Sequence, residues 1–193
     1  GSAGTIAAGD YLRAKFPHIR VAASEALQCP TLLHNGFGAH RIEGIGDKHV
    51  PWIHNVRNTD AVVAIDDTAC MQVLRLFNEK AGREYLKETG VSPSFIRRLP
   101  LLGISGISNL LSSIKIAKYF ELTEKDVIFT IFTDSTELYG SRVEELRKEY
   151  GAYDRKNAVY DRARYIDGMG IEHLQELGHY DRKRLHNLKY FTW

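Results

Sequence analysis

Cysteine is scarce: Cys29 and Cys70 are the only two in 193 residues. That number cannot build a disulfide framework, so a reduced, cytoplasmic compartment is expected. No apolar run approaches the roughly 20 residues needed to span a bilayer, and no stretch reads as a signal peptide, so no membrane partner is expected. Charge of one sign is also lacking. Lys and Arg number 26 against 24 Asp and Glu, and a net charge of +2 gives no electrostatic pull toward nucleic acid. His34, His40, His49 and His54 match no common zinc spacing and have no cysteine pair beside them, so no metal site is expected. The spacing Gly-x-Gly-x-x-Gly is missing too, which weakens a Rossmann-type nucleotide domain.

What remains is the composition of a globular chain with a real core, 44% hydrophobic and 26% charged. The first five residues, Gly1-Ser2-Ala3-Gly4-Thr5, run straight into an amphipathic stretch, Ile6–Phe16. Small residues at a helix start expose backbone N–H groups that no intrahelical carbonyl satisfies. With the positive end of the helix dipole they form a seat for a phosphate. No strand stands before that loop, so the chain is expected to be a piece of something larger.

Helices and strands then alternate. Pro17 ends the first helix, and Ile19–Ser24 reads as a buried strand. A loop-rich region rich in Gly and His occupies 25–59. Asp60–Ile65 is a second strand, and Asp66 or Asp67 caps a helix from Thr68 to about Asn78. Residues 80–98 look like an insertion of short helices, with Ser92-Pro93 as a start signal. Leu101–Ile104 is expected as a short strand, Ile107–Phe120 as a helix, and the unbroken apolar run Val127–Phe132 as a strand covered on both faces. Strands separated by helices imply right-handed crossovers. The expected fold class is therefore α/β, a short parallel sheet flanked by helices in three layers over residues 1–145.

Beyond that point Tyr, Arg, Asp and Lys dominate, and Tyr-Asp-Arg recurs at 153, 160 and 180. Between 141 and 193 there are 11 Lys and Arg against 9 Asp and Glu. Mixed charge of that density describes a solvated helical face or a subunit contact, so 146–193 is expected as a helical C-terminal extension.

Three more loops sit where open parallel sheets bind ligands. They are Gly38–Gly46 (Gly-Ala-His-Arg-Ile-Glu-Gly-Ile-Gly), Leu102–Gly106 (Leu-Gly-Ile-Ser-Gly), and Phe132–Tyr139 (Phe-Thr-Asp-Ser-Thr-Glu-Leu-Tyr). In this order, with Gly1–Thr5 ahead of them, they resemble the C-terminal part of the cysteine synthase and cystathionine β-synthase family, fold-type-II pyridoxal-phosphate enzymes. The family's loop Gly-Thr-Gly-Gly-Thr resembles Gly1–Thr5. Its Gly-Pro-His-Lys-Ile-Gln-Gly-Ile-Gly is similar to Gly38–Gly46, its Gly-Ile-Ser-Ser-Gly to Gly103–Ile107, and its Pro-Asp-Ser-Gly-Glu-Arg-Tyr to Thr133–Tyr139.

The resemblance implies roles residue by residue. Gly1, Ser2, Ala3, Gly4 and Thr5 would hold the phosphate of pyridoxal 5'-phosphate. Ser105 would meet the pyridine nitrogen, with Asp134 and Ser135 beside it. Gly44, Ile45 and Gly46 would line the substrate side. A neutral hydroxyl partner on the ring nitrogen suits β-elimination and β-replacement on an amino acid, the work of a lyase or transferase of amino-acid metabolism. The departures are Ile107 where glycine is usual in a turn, Ala3 for glycine, and Thr133, Thr136 and Leu138 for Pro, Gly and Arg. The family's Schiff-base lysine, in a Ser-x-Lys context, is not found; Lys115 lies inside a helix, in the wrong topological place. The resemblance therefore implies a fragment that is inactive by itself, with no catalytic residue of its own. The alternative is a non-catalytic module that binds a phosphate-bearing ligand or a protein partner. An excised lobe should leave a sheet edge and an apolar face uncovered, so a homo-oligomer is expected.

Other residues have plainer readings. Lys48 is a solvated loop lysine, Cys29 and Cys70 are packing residues, and Tyr139 and Tyr153 are packing or interface aromatics.

Overall fold

The computed structural model describes residues 3–193, with side chains from residue 7 onward. Its elements run α1 (Ala3–Lys15), β1 (Ala22–Ala26), α2 (Thr31–His34), β2 (Ala61–Ile65), α3 (Asp67–Asn78), α4 (Lys80–Glu88) and α5 (Pro93–Ile96). Then follow α6 (Ile104–Tyr119), α7 (Gly140–Tyr150), α8 (Arg155–Arg162), β3 (Leu174–Glu176) and α9 (His179–Thr192). The expected α/β class holds, and these elements form two compact units: residues 1–67 with 171–193, and residues 68–170.

The first unit is built on a three-stranded sheet in the order β1-β2-β3. β1 and β2 are parallel, with Ala22 opposite Ala61 and Ala26 opposite Ile65. All five residues of β2 are buried, which explains its unbroken Ala-Val-Val-Ala-Ile pattern. The third strand comes from the C-terminal region and runs antiparallel, with Val62 opposite Gln175. The C-terminal region, expected as a helical extension, holds α7, α8 and α9 and also supplies this short strand. Three residues with no apolar alternation, Leu174-Gln175-Glu176, pair because Ala64 N–H donates to the carbonyl of His173 and Leu177 N–H to that of Asp60. Leu177 and the α9 residue Leu185 then join Ala23, Leu33, Val62 and Ala64 in one core cluster.

The regular elements of the second unit are all helical among the described residues. Cys70, Val73, Leu74 and Phe77 of α3, and Ile104, Ile107 and Leu111 of α6, recur at helical spacing and are buried. Ser92 caps α5 through its hydroxyl, as the Ser-Pro pair implied. Ile107 stands in α6 and not in a turn, and its side chain is fully buried. Two expected strands do not form. Leu99–Leu101 is a 3-10 turn and Ile104 already belongs to α6, because Gly103 and Leu102 bond to the loop around residue 134 and to that turn. Val127–Phe132 has strand composition but no neighbouring strand in its unit, and Val127 and Phe129 are exposed. Strand propensity is realised only when a partner takes the backbone groups.

Candidate functional site

The loop Leu102–Gly106 and the loop Thr133–Tyr139 meet at the start of α6. Gly103 N–H donates to the Asp134 carbonyl at 3.1 Å, and Thr136 Oγ1 donates to the Leu102 carbonyl at 2.9 Å. Gly103 permits the approach. A Cβ there would stand 1.9 Å from Asp134 Oδ1, so any side chain would expel that carboxylate. Ser105, in the first turn of α6, is buried, and its hydroxyl lies 3.0 Å from that of Thr133. Either of the two hydroxyls can donate to the other, which leaves one of them able to serve a third group.

Asp134 completes this corner. Its Oδ2 accepts from the Tyr139 hydroxyl, while its buried Oδ1 has no partner among the described residues. A buried carboxylate oxygen without a donor is costly, so this corner fits a ligand that brings one. Tyr139 is therefore more than packing: it orients Asp134. The signal for it was available in the spacing, since a tyrosine five residues after an aspartate, across a 3-10 turn, can reach back to it. Ser135 is the N-cap position of that turn, Thr136–Tyr139, and makes no side-chain cap bond.

Gly44–Gly46 belongs to the first unit and is described apart. Gly44 has φ 81 and Gly46 φ 102, conformations that favour glycine. Ile45 between them is buried. His40 Nε2 lies 3.2 Å from the Gly46 carbonyl, so that nitrogen carries the proton, while His40 Nδ1 has no partner among the described residues. The same edge holds Asp67, whose Oδ2 accepts from Arg41 N–H at 2.6 Å. Burial raises the Asp67 carboxyl above its ordinary range, against the pull of that amide and of His40. Gln28 joins the ends of β1 and β2: its Nε2 donates to Asp66, and its Oε1 accepts from Asp67 N–H.

Of the expected phosphate seat, Gly1 and Ser2 lie outside the described residues. Ala3, Gly4 and Thr5 form the first turn of α1. Among the described residues no group of three or more His, Cys, Asp or Glu is placed to hold a metal ion. Lys115 is buried inside α6. Among the described residues no single helix is long and apolar enough to cross a membrane.

The sheet and its helices define an α/β protein. No family model matches the sequence. Over 140 residues the chain is 25% identical to a cysteine synthase of Staphylococcus aureus and 26% identical to cysteine synthase B of Campylobacter jejuni. Each comparison covers 72% of this chain but only 39% and 40% of the respective relatives. The chain thus spans about two fifths of the length of the curated relatives it matches, and its similarity points to the cysteine synthase family.

Proposed function

We propose that this chain carries part of the site of a pyridoxal-phosphate-dependent enzyme. In the complete enzyme the reaction would be β-elimination or β-replacement on an amino acid, in the manner of cysteine synthase. The observation that supports this most is the corner made by Ser105, Thr133 and Asp134, with its unpartnered buried Oδ1, on two segments that both fall within family motifs. Bound there, pyridoxal phosphate would supply an electron sink for the substrate's α-carbon. Ser105 would hold the ring nitrogen through its hydroxyl, with Asp134 and Ser135 beside it and Thr133 setting the hydroxyl's direction. Gly1–Thr5 would take the phosphate on backbone N–H groups. Gly44–Gly46 would form the substrate-side wall, its carbonyl direction held by His40.

No lysine of this chain is assigned the covalent link, so the chain alone is proposed to bind the cofactor without a covalent bond and without turnover. Titration with pyridoxal phosphate, followed by cofactor absorbance and by the chain's tryptophan fluorescence, tests this. Saturable binding that weakens at least about tenfold in Ser105→Ala is expected, about 1.4 kcal/mol for a lost hydrogen bond to a polar ligand. Equal binding by wild type and Ser105→Ala sinks the assignment. One specific lysine trapped by borohydride, located by mass spectrometry, sinks the non-covalent part.

A further inference from the structure

Two buried acceptor atoms of the first unit lack a donor among the described residues: Asp67 Oδ1 and His40 Nδ1. They belong to one corner, beyond the C-terminal ends of the parallel strands β1 and β2, where open α/β sheets take ligands. Arg41 N–H donates to Asp67 Oδ2 at 2.6 Å. The imidazole of the preceding residue stands close enough for its charge to act on the same carboxyl. The other ring nitrogen sets the His40 tautomer. Nε2 lies 3.2 Å from the Gly46 carbonyl, which can only accept, so in the neutral ring Nδ1 carries the lone pair. A Cβ on Gly46 would stand 3.0 Å from Nε2, so ring and glycine are already in contact and the ring's direction is set. Asp67 is equally fixed. It is 8% exposed, its Oδ2 is engaged by Arg41, and its N–H donates to Gln28 Oε1 at 3.0 Å. It opens α3, yet Oδ1 accepts from none of that helix's N–H groups, so a capping role leaves this oxygen unexplained. Nδ1 and Oδ1 cannot serve each other, since both accept. Leaving either bare is costly.

We infer that this corner is a binding site for the primary ammonium group of a small ligand. An ammonium carries three N–H donors on one compact centre, enough to serve Asp67 Oδ1 and His40 Nδ1 together. Its charge matches as well. Asp66 adds a second negative charge beside Asp67, opposed by Arg41 and, when protonated, by His40. Burial raises the Asp67 carboxyl, and a bound cation would offset that penalty on the charged form. Water offers the donors without the charge, and the experiment separates these occupants. The inference uses no pyridoxal phosphate and stands independently of the proposed function.

Nitrogen NMR of the imidazole rings in the full chain at neutral pH tests the site. Ammonium chloride and methylammonium chloride are titrated against potassium chloride and tetramethylammonium chloride at equal ionic strength. The His40 signals are assigned by their loss in His40→Gln. Ammonium and methylammonium should move the Nδ1 signal upfield, and saturably, as its lone pair accepts a hydrogen bond. Potassium and tetramethylammonium carry the charge without N–H donors and should leave that signal in place. Asp67→Asn keeps an oxygen for Arg41 N–H, and its amide can itself donate to Nδ1. It should therefore weaken the ammonium response at least about tenfold. Where that variant fails to fold, the wild-type contrast between ammonium and potassium decides the matter by itself. No response to ammonium, an equal response to potassium, or an undiminished response in folded Asp67→Asn would each overturn the inference. So would an Nδ1 signal already hydrogen-bonded or protonated in the ligand-free chain and unmoved by ammonium, because water or a proton would then fill the corner.

Discussion

Arg75 lies over the ring of Tyr153, its guanidinium carbon 4.8 Å from the ring centroid. The guanidinium is 1% exposed, donates to the Gly151 carbonyl at 2.6 Å, and stands 3.7 Å from Glu79. Glu79 accepts two bonds from Arg147 at 2.9 and 2.8 Å, and the Tyr153 hydroxyl donates to Asp161 at 2.8 Å. One buried cation thus ties α3 to the segment between α7 and α8 and, through Tyr153, to α8 itself. A charge buried this deeply is offset by the Glu79 carboxylate, the Gly151 carbonyl and the Tyr153 ring, although its Nε has no hydrogen-bond partner among the described residues.

Truncating that cation leaves Glu79 and the Gly151 carbonyl with less compensation. Arg75→Ala is expected to cost about 3–5 kcal/mol, read as a lower midpoint in urea unfolding. A midpoint equal to that of the wild type would show that the guanidinium contributes no net stability.

Asp161 makes stability depend on pH. Burial raises its carboxyl from 3.8 to about 6, against the opposing pull of the Tyr153 hydrogen bond and the Arg75 charge. The folded chain then holds a proton that the unfolded chain has released, so stability falls as pH rises from about 4 to 6. The loss is of the order of 3 kcal/mol across that window. Asp161→Asn should flatten this part of the stability–pH curve, and an unchanged slope would assign it to other groups.

Glu25 acts in the same direction in the first unit. Burial raises its carboxyl from 4.5 to about 7, although Leu32 and Leu33 N–H groups donate to it. Carbon-detected NMR of the side chain should show a titration midpoint near 7 and a loss of stability between about pH 4.5 and 7. Glu25→Gln can accept only one of the two amides through its single oxygen. At pH 5 it should be less stable than the wild type by about 1–3 kcal/mol.

Leu185 of α9 is fully buried in the sheet's core cluster, and Lys189 one turn later donates to the carbonyls of Trp52 and His54 at 3.0 and 2.6 Å. Burial lowers the Lys189 pKa and holds the His54 imidazole near 4, hence neutral. Leu185→Ala should cost about 2–5 kcal/mol, as much as an interior substitution in β2. Thermal denaturation shifted by no more than a surface substitution would mean that the C-terminal helix is dispensable to the fold.

Local chemistry made much of the fold legible. The unbroken apolar run at 61–65, the Ser92-Pro93 start, the stop at Pro17 and the spacing of apolar residues in 107–120 each carry a short-range cause, and each element forms close to where that cause puts it. The serine corner was legible as two motifs, but not as a contact. Nothing in either loop states that Gly103 must lie against Asp134, because that approach depends on how α6 and the 3-10 turn after Ser135 are set by their buried faces.

By itself, then, the amino-acid order determined which segments can be helices and where the parallel pair of strands lies. Those properties follow from side-chain spacing, capping and backbone freedom within a few residues. Tertiary structure alone decided the rest: that Leu174–Glu176 adds to β2, and that the strand-like Val127–Phe132 stays unpaired. It also decided that Arg75 and Asp161 are buried together. Backbone pairing and burial are supplied by residues distant in sequence, so no local pattern encodes whether a segment finds its partner.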